Sequence, residues 1–239
     1  MTPAPTDPAA FADQVATVCA VYAAAPALAT LGIHVVSTDE MTGIQALERA
    51  APTLPMHPGM VERREFEYLR HGTLSLIANF HVATGTVVSP SLGPTRTEAD
   101  FAAHIARTVA ADPEAGYLFL VDQLNTHKSE QLVRLVAQFE DYPGDLGVKG
   151  KSGILQSMTS RAAFLSDPRR WIQFVYLPIH TSWLNQIEIW FSILTRRLLK
   201  RANFASTDDL RARILAFIAY VNRHAKPFQW TYTGRHLRA

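Results

Sequence analysis

Short apolar runs that end on polar residues predict the strands of this chain. The β-branched run GIHVVSTDE at 32–40 predicts a first strand. Apolar positions within 73–88 predict a β-hairpin that turns near 83–86. The unbroken runs GYLFLVDQ at 116–123 and IQFVYLP at 172–178 are typical of strands that are buried on both faces. A sheet with both faces covered is therefore expected.

Apolar residues at a helical spacing predict the helices that would cover it. The clearest begins with the capping pair Thr97 and Asp100, and another begins at Ser206 with Asp209 three residues later. Further helical patterns occupy 9–22, 131–139 and 182–200. Strands and helices in this order indicate an α/β fold, a mixed β-sheet flanked by helices.

The domain organisation follows from composition. Residues 1–30 are rich in alanine and proline and predict a partly helical N-terminal segment with a loose start, followed by one domain at 31–239. The segment 142–153 contains four glycines and predicts a flexible loop within that domain.

Bulk composition describes a soluble globular protein. Of 239 residues, 48 % are hydrophobic, which is enough for a packed core. The longest unbroken apolar run, near 117–121, is far shorter than the ~20 residues that cross a bilayer. The N-terminal residues lack the basic start of a secretory signal, and Cys19 is the only cysteine. We expect a cytoplasmic protein with no membrane partner.

Charge divides the chain unevenly. Residues 1–160 hold 10 Lys and Arg against 17 Asp and Glu, a balance of −7, whereas residues 161–239 hold 13 against 4, a balance of +9. A basic segment of this kind commonly faces the phosphates of a nucleic acid. A solvated basic helix surface explains the same charge, so composition alone leaves both interpretations open.

Three acids are candidates for chemistry. Asp39 and Asp122 end buried-type strands, where ligands usually bind in α/β sheets, although Asp also ends strands for purely structural reasons. Glu188 lies in the apolar stretch SWLNQIEIWFSIL, and helix geometry places it at the border of the apolar stripe rather than inside it. Arg196 and Lys200 continue its polar side. Three converging carboxylates would suit Mg²⁺, and a pair of such ions can drive phosphodiester chemistry.

The residues around these acids resemble a known family. STDE at Asp39, VDQLNTH at 121–127 and LPIHTSWLNQIEIWFS at 177–192 are together similar to the catalytic domain of a DDE transposase of the mariner superfamily, in its bacterial insertion-sequence branch. The third stretch is the most specific, and KPFQW at 226–230 is also familiar for this branch. The similarity extends from about Gly32 to the C-terminus.

This resemblance implies an RNase H-like fold in which Asp39, Asp122 and Glu188 hold two Mg²⁺ ions, with Mn²⁺ as a substitute. It implies cleavage of element ends and strand transfer into double-stranded DNA, at a TA dinucleotide, by a homodimer or larger assembly. His127 and Asn185 match motif positions near the acids and are expected to support them or to contact DNA, as are Arg196 and Lys200.

Two departures and several alternatives accompany the resemblance. The N-terminal helix-turn-helix region usual in the family is expected to be absent, and Gln123 stands where Asn is common. The alternative function is a catalytically silent or domesticated DNA-binding relic of a transposase. Other classes fit poorly: DLGVKGKS at 145–152 lacks the first glycine of a phosphate-binding loop, no two histidines have zinc-ligand spacing, and no G-x-S-x-G hydrolase motif occurs.

Overall fold

The computed structural model describes residues 7–232, so the predicted loose start and the last residues of the predicted 31–239 domain lie partly outside it. Five strands form one mixed sheet in the order β3-β2-β1-β4-β5. The strands are β1 Ile33–Arg49, β2 Tyr68–His81, β3 Thr86–Gly93, β4 Gly116–Val121 and β5 Ile172–Tyr176. The first three are antiparallel neighbours, whereas β4 and β5 run parallel to β1.

Six α-helices cover the two faces of this sheet. They are α1 Pro8–Thr30, α2 Glu98–Ala111, α3 Glu130–Phe139, α4 Met158–Leu165, α5 Gln186–Leu194 and α6 Thr207–Asn222. The buried side chains of α1, α5 and α6 share one hydrophobic core on one face, and those of α2, α3 and α4 share a second core on the other. The predicted mixed α/β sheet flanked by helices is therefore confirmed.

Local sequence signals account for most of these boundaries. Thr97 and Asp100 form the predicted capping box of α2, and the Ser206 hydroxyl accepts the Asp209 N–H at the start of α6. The predicted hairpin joins β2 to β3, and its turn contains Gly85 at a φ of +75°, where a glycine is favoured. Helix α4 was not predicted.

The helix predicted over 182–200 is divided into three segments. A 3₁₀ turn at Ser182–Leu184 precedes α5, and a π-helical turn at Thr195–Leu199 follows it. The division places Asn185 between two helical segments rather than inside one. The backbone around Asn185 and Glu188 is therefore a junction, which bears directly on the candidate site.

Helix α1 is longer than the predicted 9–22. Its length and a mean hydropathy of 1.3 would suffice to span a membrane, a test that core helices of soluble proteins also pass. In this structure Val15, Val18 and Tyr22 are buried in the core that α1 shares with α5 and α6. Helix α1 therefore packs on the sheet through one side, while only 28 % of its most apolar window is buried.

Candidate active site

Asp39 lies in β1, and Asp122 directly follows the end of the neighbouring strand β4. Strands β1 and β4 pair in parallel with Ser37 opposite Leu120, and continuing this register by two residues brings Asp39 level with Asp122. Neighbouring strands are about 4.8 Å apart, and residues level in register point to the same face. The Asp39 carboxylate faces the start of α5, where Asn185 donates a hydrogen bond to it. The extended register would put Asp122 on the same side of the sheet.

Glu188 lies in the first turn of α5, half-buried at the border of the apolar stripe. Its buried neighbours Ile187, Phe191 and Leu194 hold the helix against the sheet. The Glu188 carboxylate has no hydrogen-bond partner among the residues described, and it lines a cleft of about 490 Å³ together with Arg196 and Lys200. An acid with this placement can receive a cation from the cleft.

The three acids interact electrostatically. Burial raises the pKa of Asp39 to about 7, and the negative charges of Asp122 and Glu188 act in the same direction. Burial also raises the pKa of Glu188, and the charge of Asp122 adds to that effect. Negative charge is therefore concentrated between β1, β4 and α5, the situation that a divalent cation relieves.

Asn185 fixes the orientation of Asp39. Its side-chain amide donates hydrogen bonds to the Asp39 Oδ2 atom and to the Thr38 carbonyl oxygen, each at 3.1 Å, and its Oδ1 atom accepts one from the Ser37 hydroxyl. The residue is fully buried. These three hydrogen bonds all join the side chain to β1, the strand that carries the first acid.

His127 joins Asp122 to a fourth acid, Glu40. Its Nδ1 atom lies 2.8 Å from Asp122 Oδ1 and its Nε2 atom lies 3.2 Å from Glu40 Oε1. Burial alone would lower the pKa of His127, but the two carboxylates raise it to about 9. Burial likewise would raise the pKa of Asp122, but the hydrogen bond and charge of His127 hold it below its ordinary value. A protonated His127 thus keeps Asp122 ionised.

Sequence reasoning missed Glu40. Its side chain is only 1 % exposed, and it follows Asp39 directly, so it points toward the opposite face of the sheet, where His127 packs on Phe101. A signal was present: two adjacent acids end a strand that is otherwise buried. Ser37 was also not predicted, because a small polar residue in a buried strand usually has no functional role.

Arg196 and Lys200, the predicted basic residues, are exposed in and just after the π-helical turn and line the cleft beside Glu188. Asp122 lines a second groove, of about 570 Å³, with residues of the loop after β5. Basic side chains line the first of these clefts, and no Lys or Arg of residues 7–232 lines the second groove.

The donor set fits Mg²⁺ or Mn²⁺, since these ions prefer carboxylate oxygens and the crowding of three acids demands a positive charge. Among residues 7–232, however, no three His, Cys, Asp or Glu side chains are already grouped as ligands of one ion. Mutual repulsion between the unneutralised acids is the expected physical reason. Ligation by Asp39, Asp122 and Glu188 stays a prediction.

Comparison with known proteins defines the class. The fold is similar to the catalytic domain of Mos1 mariner transposase, with a TM-score of 0.51 at 11 % identity over 92 % of this chain and 85 % of that one. The same domain with raltegravir and Mn gives a TM-score of 0.51 at 11 % identity, over 91 % and 85 % of the two chains. The expected RNase H-like α/β fold is therefore confirmed.

The profile of the DDE superfamily endonuclease family matches residues 34–211, a range that includes all three acids. The chain belongs to this family. A Mos1 transposase paired-end complex with the left transposon end matches with a TM-score of 0.53 at 12 % identity, over 92 % of this chain but only 57 % of that one. No curated protein sequence matches.

Proposed function

We propose that this chain is the catalytic domain of a DDE transposase from the bacterial insertion-sequence branch of the mariner superfamily. It would cleave the phosphodiester bonds of element ends and transfer the strands into target DNA, at TA, as a homodimer or larger assembly in the cytoplasm. The observation that carries the proposal is the hydrogen bond by which Asn185, at the start of the helix of Glu188, holds Asp39. The register of β1 with β4, extended by two residues, would bring Asp122 beside Asp39.

The proposed roles follow from the contacts. Asp39, Asp122 and Glu188 would hold two Mg²⁺ ions, or Mn²⁺ in their place, and the bound ions would activate the attacking oxygen and stabilise the leaving oxygen. Asn185 holds the Asp39 carboxylate in position, because it donates to Oδ2 from a buried site. Water and then a 3′-hydroxyl would attack the DNA phosphates in line.

His127 has a separate role at the second acid. Positioned between Asp122 and Glu40, it retains its proton and so keeps the Asp122 carboxylate ionised and oriented. Arg196 and Lys200 would bind the DNA backbone where the cleft opens beside Glu188. These two contacts would position DNA without reading its sequence.

A metal-dependent nicking assay on supercoiled duplex DNA tests the proposal. Wild type should nick with Mg²⁺ or Mn²⁺, and Glu188→Gln, which keeps the side-chain shape but removes the charge, should lower the rate by at least about 100-fold. Glu114→Gln is the matched control, because Glu114 is an exposed loop acid. Equal activity of wild type and Glu188→Gln would contradict the assignment.

The alternative is a catalytically silent or domesticated relic that binds DNA without cutting it. The electrostatic coupling of the three acids argues against it. Salt-sensitive DNA binding by a wild-type protein that does not nick with either ion would support the relic.

A further inference from the structure

The hydroxyl group of Tyr22, in α1, joins the backbone that carries Glu188. It donates a hydrogen bond to the Leu184 carbonyl oxygen at 2.9 Å and accepts one from the Gln186 N–H at 3.3 Å. Burial raises the pKa of Tyr22, so the hydroxyl stays protonated and can donate. The Tyr22 hydroxyl therefore bonds the backbone on both sides of Asn185, at the junction between the 3₁₀ turn and α5.

The start of α5 needs such a contact because its own cap residue is engaged elsewhere. The first N–H groups of a helix have no intrahelical acceptor, and an Asn at the cap position usually accepts one of them. Asn185 makes no such bond, since its side chain is committed to β1 and Asp39. Tyr22 serves the Gln186 N–H instead, and the Ser37 hydroxyl accepts the Ile187 N–H at 2.9 Å.

Tyr22 is itself held in place by the C-terminal part of the chain. The ring of Trp230 packs on the ring of Tyr22 with centroids 4.9 Å apart, and the Trp230 indole N–H points at the Cys19 sulfur at 3.5 Å. Both Tyr22 and Trp230 lie outside residues 34–211, the range that the family profile matches. The family match therefore carries no information about this contact.

We propose that Tyr22 is a positioning residue for Glu188 and that Trp230 holds Tyr22 in place by packing on its ring. Its hydroxyl fixes the first turn of α5, and with it the direction of the carboxylate two residues after Gln186, relative to Asp39 on β1. Without the hydroxyl, the Leu184 carbonyl and the Gln186 N–H are buried and unpaired, so the junction is expected to shift or to open locally. The inference rests on the proposed function of Glu188.

Tyr22→Phe is the sharpest test, because it removes one hydroxyl and keeps the ring against Trp230. Tyr117→Phe is a matched control: each tyrosine is 3 % exposed and each hydroxyl donates to backbone carbonyl oxygens, but Tyr117 belongs to β4 and bonds Thr108 and Asp112. Similar losses of thermal stability are expected from both variants. Only Tyr22→Phe should disturb the candidate site.

Two readouts separate positioning from a general loss of stability. Mn²⁺ affinity, measured by calorimetry, should fall by about tenfold or more in Tyr22→Phe, as for loss of an outer-shell partner, and stay at the wild-type value in Tyr117→Phe. Amide hydrogen exchange at residues 186–188 should accelerate only in Tyr22→Phe. Trp230→Leu, which keeps the hydroxyl but removes its support, should show a smaller effect of the same kind.

The proposal would be overturned if Tyr22→Phe kept the wild-type Mn²⁺ affinity and the wild-type exchange rate at 186–188. It would also be overturned if Tyr117→Phe changed both quantities as much as Tyr22→Phe does. If wild type neither binds Mn²⁺ nor nicks DNA, the proposed function fails. The exchange measurement still shows whether the Tyr22 hydroxyl fixes the first turn of α5. Unchanged exchange in Tyr22→Phe would then refute positioning as well. If Tyr22→Phe does not fold, Trp230→Leu is compared with Tyr117→Phe by the same two readouts.

Discussion

Removing the charge of Asp39 should stabilise the metal-free protein. The carboxyl is 8 % exposed, and burial raises its pKa from 3.8 to about 7. The native state therefore binds a proton that the unfolded state has lost between these two values, so stability falls as the pH rises through this window. Asp39→Asn has no proton to lose, and its side-chain oxygen can still accept a hydrogen bond from Asn185.

The size of the effect follows from the shift. Each pKa unit corresponds to about 1.4 kcal/mol. The Asp39 pKa rises from 3.8 to about 7, and about two of these three units lie above pH 5. The stability of Asp39→Asn relative to wild type should therefore rise by about 2–3 kcal/mol from pH 5 to pH 8. If the proposed function holds, the same variant loses activity, and stability and function then oppose each other at this position.

Urea denaturation in EDTA at pH 5, 6, 7 and 8 measures this difference. Asp13→Asn, which changes an exposed acid of α1, is the control and should show no trend. Added Mg²⁺ should stabilise wild type more than Asp39→Asn, because a ligand that binds the native state adds to its stability. A difference that does not grow with pH, or an Asp39→Asn protein that is less stable at pH 8, would refute the reasoning.

Three further variants test the site and a turn remote from it. Asn185→Ala should cost about 3 kcal/mol in urea denaturation, because the Ser37 hydroxyl and the buried Thr38 carbonyl oxygen lose their partner; a loss under 1 kcal/mol would contradict the network. Gly85→Ala should cost about 2 kcal/mol or more, since φ is +75° and a Cβ atom would collide with the Lys226 carbonyl oxygen; unchanged stability would disprove that contact. Arg196→Ala should weaken DNA binding and reduce its salt dependence by about one ion, and an unchanged salt slope would remove Arg196 from the interface.

Much of the fold could be read from the sequence because its signals are local. The capping pair at Thr97 and the apolar runs of β4 and β5 each specify an element within a few residues. Helix α4 carries a weaker signal: only Phe164 and Leu165 are its buried apolar residues. The break of the 182–200 helix was hidden because its stripe of apolar residues continues across the break.

The candidate site was less accessible, because its parts are brought together by sheet register and not by spacing. Asp39 and Asp122 could be proposed as strand ends, yet only the pairing of β1 with β4 places them level. Glu40 and Ser37 contribute through contacts with residues 87 and 150 positions away, His127 and Ile187. No periodicity within one segment encodes such contacts.

The contact between Trp230 and Cys19 spans 211 residues and has a kinetic consequence. The entropic cost of closing a loop rises with its length, by about 0.6 kcal/mol per doubling, so we expect this contact to form after those between nearer parts of the chain. The sheet and its two acids can assemble from nearer partners, whereas the support beneath Glu188 waits for the C-terminal segment to dock. During refolding, we expect native secondary structure to return before the proposed ability to bind Mn²⁺.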